Sequence, residues 1–138
     1  MSAVRYLLDT NAVIAVLKDP AGPVSRHLHA RAPAEVGVSA IVMHELFFGA
    51  FKSQRLEQNL ALVDALRFEV VPLDREDARH AGEIRALLAS RGSPIGACDI
   101  QIAGQARARG LVLVTRNLRE FERVPGLEVR NWQDGTAT

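Results

Sequence analysis

Five short, largely apolar runs, each separated from the next by eleven or more residues, constrain this chain more than any other feature. They are "YLL" (residues 6–8), "EVGV" (35–38), "FEVVPL" (68–73), "LVLVT" (111–115) and "LEVRNW" (127–132). Each is too short for a buried helix and has the length and content of a strand covered on both faces. Hairpins need only two to five linking residues, whereas parallel neighbours need a crossover of a dozen or more. Helical patterning fills most of the gaps. The alternation predicts an α/β domain, with a five-stranded, mainly parallel sheet, right-handed crossovers and helices on both sides.

Helix boundaries follow from local signals. Asn11 is expected to cap a helix over Ala12–Leu17, which ends before Asp19-Pro20. Val24–Arg31 reads as a second helix entered through Pro23. Ser39 caps a third, running to about Lys52. Ser53, with Glu57 near capping-box spacing, is expected to open a fourth, whose apolar stripe is Leu56, Leu60, Leu62, Val63 and Leu66. Asp74 and Asp77 have capping-box spacing and start a helix running to about Ser90, which "RGSPIG" breaks. "ACDIQIAGQARARG" is a helix stopped by Gly110, and "RNLREF" is a turn or short helix. Val129 and Trp132 need packing partners, so residues 1–132 are expected to form a single domain, with 133–138 a frayed tail.

The chain has 138 residues, 48% of them hydrophobic, enough for one ordinary domain with a core. The net charge of +1 gives no strong global field for nucleic acid. Only Lys18 and Lys52 among the 17 basic side chains are lysines. Cys98 is the one cysteine, so an internal disulfide is impossible and a thiolate zinc site is disfavoured. The four histidines show no metal-ligand spacing. No stretch approaches the roughly 20 apolar residues of a membrane span, and "MSAVRYLLD" is too short and too quickly charged for a signal peptide. A soluble cytoplasmic protein is the expectation.

Open parallel sheets bind ligands at the carboxyl ends of their strands. Asp9 follows the first strand directly. Glu45 lies early in the helix after the second, Asp99 opens the helix after "SPIG", and Arg116, Asn117 and Glu120 follow the fourth strand. Each acid has a plain structural explanation by itself. Asp99 complements a helix dipole, Glu45 can sit on a solvated helix edge, and Asp9 can pair with an arginine. Together these explanations weaken, because clustered carboxylates repel and take up protons unless a cation joins them. An oxygen-only ligand set suits Mg²⁺ or Mn²⁺ rather than zinc. The chemistry such an ion supports is phosphoryl transfer or phosphodiester hydrolysis, through an acidified water and a neutralised phosphate.

With these residues in view, "LLDTNAVIAVL", "SAIVMHELFFGA", "GSPIGACDIQIAGQARARG" and "LVLVTRNLREFERVPGLEVRNW" resemble the VapC-type PIN-domain toxins of toxin–antitoxin pairs. The likeness spans almost the whole chain. It implies a PIN fold, an Mg²⁺- or Mn²⁺-dependent endoribonuclease leaving 5′-phosphate and 3′-hydroxyl ends, a homodimer, and a cognate antitoxin that inhibits the enzyme. The nearest subgroup suggests a tRNA anticodon stem-loop as the RNA. Asp9, Glu45 and Asp99 match the family's acidic triad. Asp9 and Asp99 stand as the best metal ligands, with Glu45 completing the cluster and helping to hold the attacking water.

Two positions depart from the pattern. Many PIN nucleases carry an Asp where this chain has Asn117, so a second metal would be held less tightly unless Glu120 reaches in. Cys98 stands where relatives often have Tyr, and reads as a small buried helix residue. Among the supporting residues, Thr10 is placed to orient Asp9 or a water, Asn11 to cap a helix, and Thr115 to back the site from a strand end. Arg116 is a candidate phosphate contact, while Arg107, Arg109, Arg119 and Arg123 are either an RNA path or a solvated face. His44 adjoins Glu45 but points away from it. Phe47, Phe48 and Phe51 suit a partner helix or the core. Two rival functions remain: a phosphatase with Asp9 as nucleophile, against which Asn11 stands where its second Asp belongs, and a PIN-like module that binds antitoxin or RNA without cutting.

Overall fold

The computed structural model describes residues 3–133. Its strands are β1 (Tyr6–Leu8), β2 (Val36–Ser39), β3 (Glu69–Val71), β4 (Val112–Val114) and β5 (Glu128–Arg130). They form one sheet in the order β3-β2-β1-β4-β5, and every pairing is parallel. The helices are α1 (Thr10–Lys18), α2 (Pro23–His29), α3 (Ala40–Lys52), α4 (Leu56–Asp64), α5 (Arg75–Ser90), α6 (Ala97–Arg109) and α7 (Leu118–Phe121). The predicted α/β class and parallel sheet are therefore observed.

The continuous apolar runs become the middle of the sheet because both of its faces are covered. Leu7, Leu8, Val38 and Leu113 are fully buried, and all four residues of β2 are buried. From β1 the chain steps outward to β2 and β3, then returns to β4 on the other side of β1. Loops leaving the ends of β1 and β4 therefore diverge, which opens a crevice at the carboxyl edge. In register, Leu8 stands level with Val38 on one side and Val114 on the other, so Asp9 and Thr115 flank that crevice.

Several expected boundaries hold. Ser39 caps α3 by accepting the Ile41 N–H at 3.0 Å. Asp74 and Asp77 form a reciprocal capping box on α5. Gly110 ends α6 at φ +65°, a left-handed conformation that glycine adopts without strain. Trp132 is fully buried; it stacks on His27 at 5.1 Å and lies under the Arg31 guanidinium at 4.5 Å.

Other boundaries differ. Asn11 does not cap α1; it is an exposed residue inside that helix. Asp9 is the cap, extended at φ −79° and ψ 175°, and its carboxylate accepts the Ala12 N–H. Ser53 ends α3 instead of opening α4, because its hydroxyl donates to the Ala50 carbonyl. α4 starts at Leu56 with no side-chain cap. In its stripe Val63 is buried and Leu60 and Leu66 are partly buried, while Leu56 and Leu62 are exposed. α2 is shorter than expected, and a 3₁₀ turn at Pro33–Glu35 precedes β2. Of the segment expected to fray, 134–138 lies outside the described residues; Gln133 is partly buried, and its N–H donates to the Asn131 side chain. No helix among the described residues is long and apolar enough to cross a membrane.

Candidate active site

Asp9 sits where strand gives way to helix, and both elements hold it. Its own N–H donates to the Val114 carbonyl at 3.0 Å, which keeps its backbone paired to β4. One carboxylate oxygen accepts the Ala12 N–H at 2.8 Å, and the Thr115 hydroxyl also hydrogen-bonds the carboxylate. Thr115 is itself buried, and its hydroxyl accepts the Asn117 N–H at 3.0 Å. The carboxylate of Asp9 is thus fixed by groups from α1 and from the end of β4. Burial raises its pKa above the ordinary value, and these hydrogen bonds and the Arg116 charge pull it partly back.

Glu45 arrives from the second turn of α3, one turn beyond Ile41 and partly buried. The Thr10 hydroxyl donates to its Oε1 at 2.7 Å. This corrects one expectation: Thr10 grips Glu45, not Asp9. Asp99 stands in the first turn of α6, whose N-cap, Gly96, offers no side-chain bond. Its pKa is pushed up to about 6, first by burial and then by the charges of Glu120, Glu45 and Asp9. Four carboxylates from four separate regions of the chain therefore lie within reach of one another's fields. α7 contributes Glu120, the largest of the three charge effects on Asp99.

Asn117 caps α7 by backbone position and makes no side-chain cap bond there. Arg116 is exposed, within electrostatic reach of Asp9. Cys98 is half-buried, and burial together with the Glu45 and Asp99 charges raises its thiol pKa, so it stays protonated and unreactive. His44 is exposed. Arg107 and Arg109 are tied down by groups of α5 and its neighbouring loops. Arg107 bonds His80, Glu83 and the Pro125 carbonyl, and Arg109 bonds Asp74, Asp77 and the Pro72 carbonyl. The capping role of Asp9 was missed in the sequence, although Asp at a strand-to-helix junction is itself a favoured cap.

Among the described residues, no three His, Cys, Asp or Glu side chains close around one point as a finished metal cage. The Asp9 and Asp99 carboxyls nevertheless feel the charge of neighbouring acids, Glu45 at Asp9, and Glu120, Glu45 and Asp9 at Asp99. A closed cage is not needed for Mg²⁺, which is usually held through one or two carboxylates and keeps several waters. An open set of oxygen donors with excess negative charge fits a hard divalent ion.

The family model for the PIN domain matches residues 6–127. The tRNA(fMet)-specific endonuclease VapC of Salmonella typhimurium is 42% identical over 130 residues, which cover 93% of this chain and 98% of that protein. Ribonuclease VapC2 of Haemophilus influenzae is 41% identical with the same coverage. Among solved structures, DNA-bound VapBC from Salmonella typhimurium superposes with a TM-score of 0.89 at 42% identity, covering 94% of this chain and 98% of that one. VapBC2 from Rickettsia felis, bound to a promoter DNA fragment, gives a TM-score of 0.87 at 32% identity, covering 94% and 99%. The chain belongs to the PIN-domain family and, within it, to the VapC ribonucleases of toxin–antitoxin systems.

Proposed function

We propose that this protein is the toxin of a toxin–antitoxin pair, an endoribonuclease that uses Mg²⁺ or Mn²⁺ to hydrolyse RNA, with a tRNA anticodon stem-loop as its substrate. The observation that carries the reading is the placing of Asp9, Glu45, Asp99 and Glu120, from four separate elements, within range of one another's charge, where burial and the other three acids push the Asp99 carboxyl up to about 6. A divalent cation bound among the four acids would relieve this repulsion.

In this reading Asp9 and Asp99 hold the ion and Glu45 completes the cluster. When bound, the ion neutralises charge on the phosphodiester and acidifies water at the site. The protein's own groups do the rest. Ala12 and Thr115 fix Asp9 in one orientation. Thr10 occupies one oxygen of Glu45, which leaves the other to orient the attacking water and accept its proton. Arg116 is exposed beside Asp9, where it can meet a phosphate. The Asn117 amide adds a dipole without charge, and Glu120 supplies the negative charge that Asn117 lacks.

The RNA class is supported by the relative from Salmonella, named for its specificity for tRNA(fMet). The antitoxin is supported by the VapBC complexes of Salmonella and Rickettsia. Phe48 and Phe51 of α3 support it too: at 59% and 65% exposure they offer an apolar surface to a partner. An aspartyl phosphatase is disfavoured, since the position two residues after Asp9 is an exposed amide inside α1.

The test is cleavage of total tRNA by purified protein, with the ends sequenced. Metal-dependent cleavage that leaves 5′-phosphates, and that is lost in Asp9→Asn and Asp99→Asn, is the expected result. Undiminished cutting by either variant, or by the wild type in excess EDTA, removes the assignment.

A further inference from the structure

A groove of about 310 Å³ lies between α1, α3 and α4, lined among others by Leu17, Lys18, Glu45, Gly49, Asn59 and Leu62. Resting on the nuclease reading above, we propose that this groove seats the nucleobase next to the scissile phosphate and reads it through the Asn59 carbonyl.

Four observations carry the assignment. Glu45 belongs to the acid cluster and also lines the groove, so a nucleotide whose phosphate lies at the acids has this cavity as its neighbour. The volume falls at the small end of ligand pockets, which run from about 300 Å³ upward. The walls are mainly aliphatic, with the Asn59 amide, the Lys18 cation and, at the end toward the acids, the Glu45 carboxylate; the aliphatic part can take the apolar faces of a base and the amide its edge. Lys18, exposed on the last turn of α1, supplies the cation.

The orientation of the Asn59 amide follows from its partners. The Ser53 hydroxyl donates its only proton to the Ala50 carbonyl at 2.8 Å, so it can only accept from Asn59. Asn59 therefore presents its NH₂ to Ser53, at 2.9 Å, and its carbonyl oxygen remains as an acceptor. Such an acceptor favours a base edge with an exocyclic amino group, as in adenine or cytosine, over the O4 edge of uracil.

Gly49 makes the groove testable. A Cβ built there meets nothing within 4 Å, and the residue lies one turn beyond Glu45 on α3. Gly49→Trp puts a bulky ring on the groove lining from a Cβ position that meets no neighbour. Gly82→Trp, at an equally open glycine of α5, is the control for a bulky ring on a helix. The readout is a ratio: kcat/KM for a single-stranded oligoribonucleotide over kcat/KM for bis(4-nitrophenyl) phosphate, which has a phosphodiester and no base. The ratio should fall about tenfold in Gly49→Trp, the worth of one seated base. In Gly82→Trp it should stay at the wild-type value. Asn59→Leu should bring oligo-A and oligo-U substrates closer in kcat/KM. A wild-type ratio in Gly49→Trp overturns the proposal and leaves the groove to a protein segment. A wild type that cleaves neither substrate overturns the nuclease reading itself.

Discussion

The Thr10 hydroxyl donates to Glu45 Oε1 at 2.7 Å and joins the first residue of α1 to the second turn of α3. The hydrogen bond engages Oε1 and leaves Oε2 as the working oxygen. Thr10→Val should lower kcat by about 10- to 100-fold, the usual effect of removing a group that orients a reacting one. Thr10→Ser should restore most of it. Melting should change by only about 1 kcal/mol. A Val variant with normal kcat would mean that Glu45 is held by packing.

Asp99 predicts a pH dependence of the metal-free protein. A carboxyl whose folded pKa lies above its unfolded value contributes stability at low pH, and that contribution is lost as pH rises through the folded value. Here the ordinary value is 3.8 and the folded value about 6, so the loss should fall between about pH 4 and 6. Asp99→Asn has no such carboxyl. Above pH 6.5 without metal it should be more stable than the wild type by about 1–2 kcal/mol, discounted because the group is only partly buried. Mg²⁺ should stabilise the wild type more than the variant. Parallel melting curves for the two proteins across this range would contradict the coupling.

Asn117→Asp should restore the negative charge that many PIN nucleases carry at this position. The Asn117 N–H is tied to Thr115, whose hydroxyl also meets Asp9, so a carboxylate at 117 would start close to the acids. Divalent affinity should rise about tenfold, and the metal-free protein should melt lower, because one more charge is repelled when no cation is present. Titration calorimetry with Mn²⁺ measures the first effect. Unchanged affinity would place the new side chain outside the cluster.

Much of this architecture could be read from the chain because local and global demands agree. The apolar stretches within "LVLVT" and "EVGV" become strands on either side of β1. Asp74 and Asp77 have one suitable spacing and form one capping box. Trp132 is too large and apolar for a free tail and is fully buried against His27 and Tyr6. The misreadings occurred where two residues were equally suited. Asp9 and Asn11 are both good caps, and the choice is made by tertiary structure: the Asp9 N–H pairs with Val114 of β4, which keeps Asp9 extended and starts the helix after it. Ser53 suits either end of a helix, and its hydroxyl bond to the Ala50 carbonyl commits it to the end of α3. Arg107 and Arg109 looked free because their partners on α5 are far away in sequence. The weight of Glu120 at Asp99 depends on how α7 folds over the site, which no spacing encodes.

Gly104 tests whether helix packing sets the position of Asp99. Both lie on α6, and a Cβ at Gly104 would stand 2.6 Å from the Ala81 backbone nitrogen of α5. Backbone cannot rotate away as a side chain can, so Gly104→Ala must part the two helices. Alanine gains up to about 1 kcal/mol of helix propensity over glycine. Overpacking at a backbone contact costs about 1–3 kcal/mol and should win. Net destabilisation of about 1–2 kcal/mol is expected in urea unfolding. The consequence for function is separate. If α6 moves outward, Asp99 leaves its place among the acids, and divalent affinity should fall under conditions where the variant is still fully folded. A variant that is less stable but binds Mn²⁺ normally would show that the first turn of α6 is held by the loop before it and not by α5.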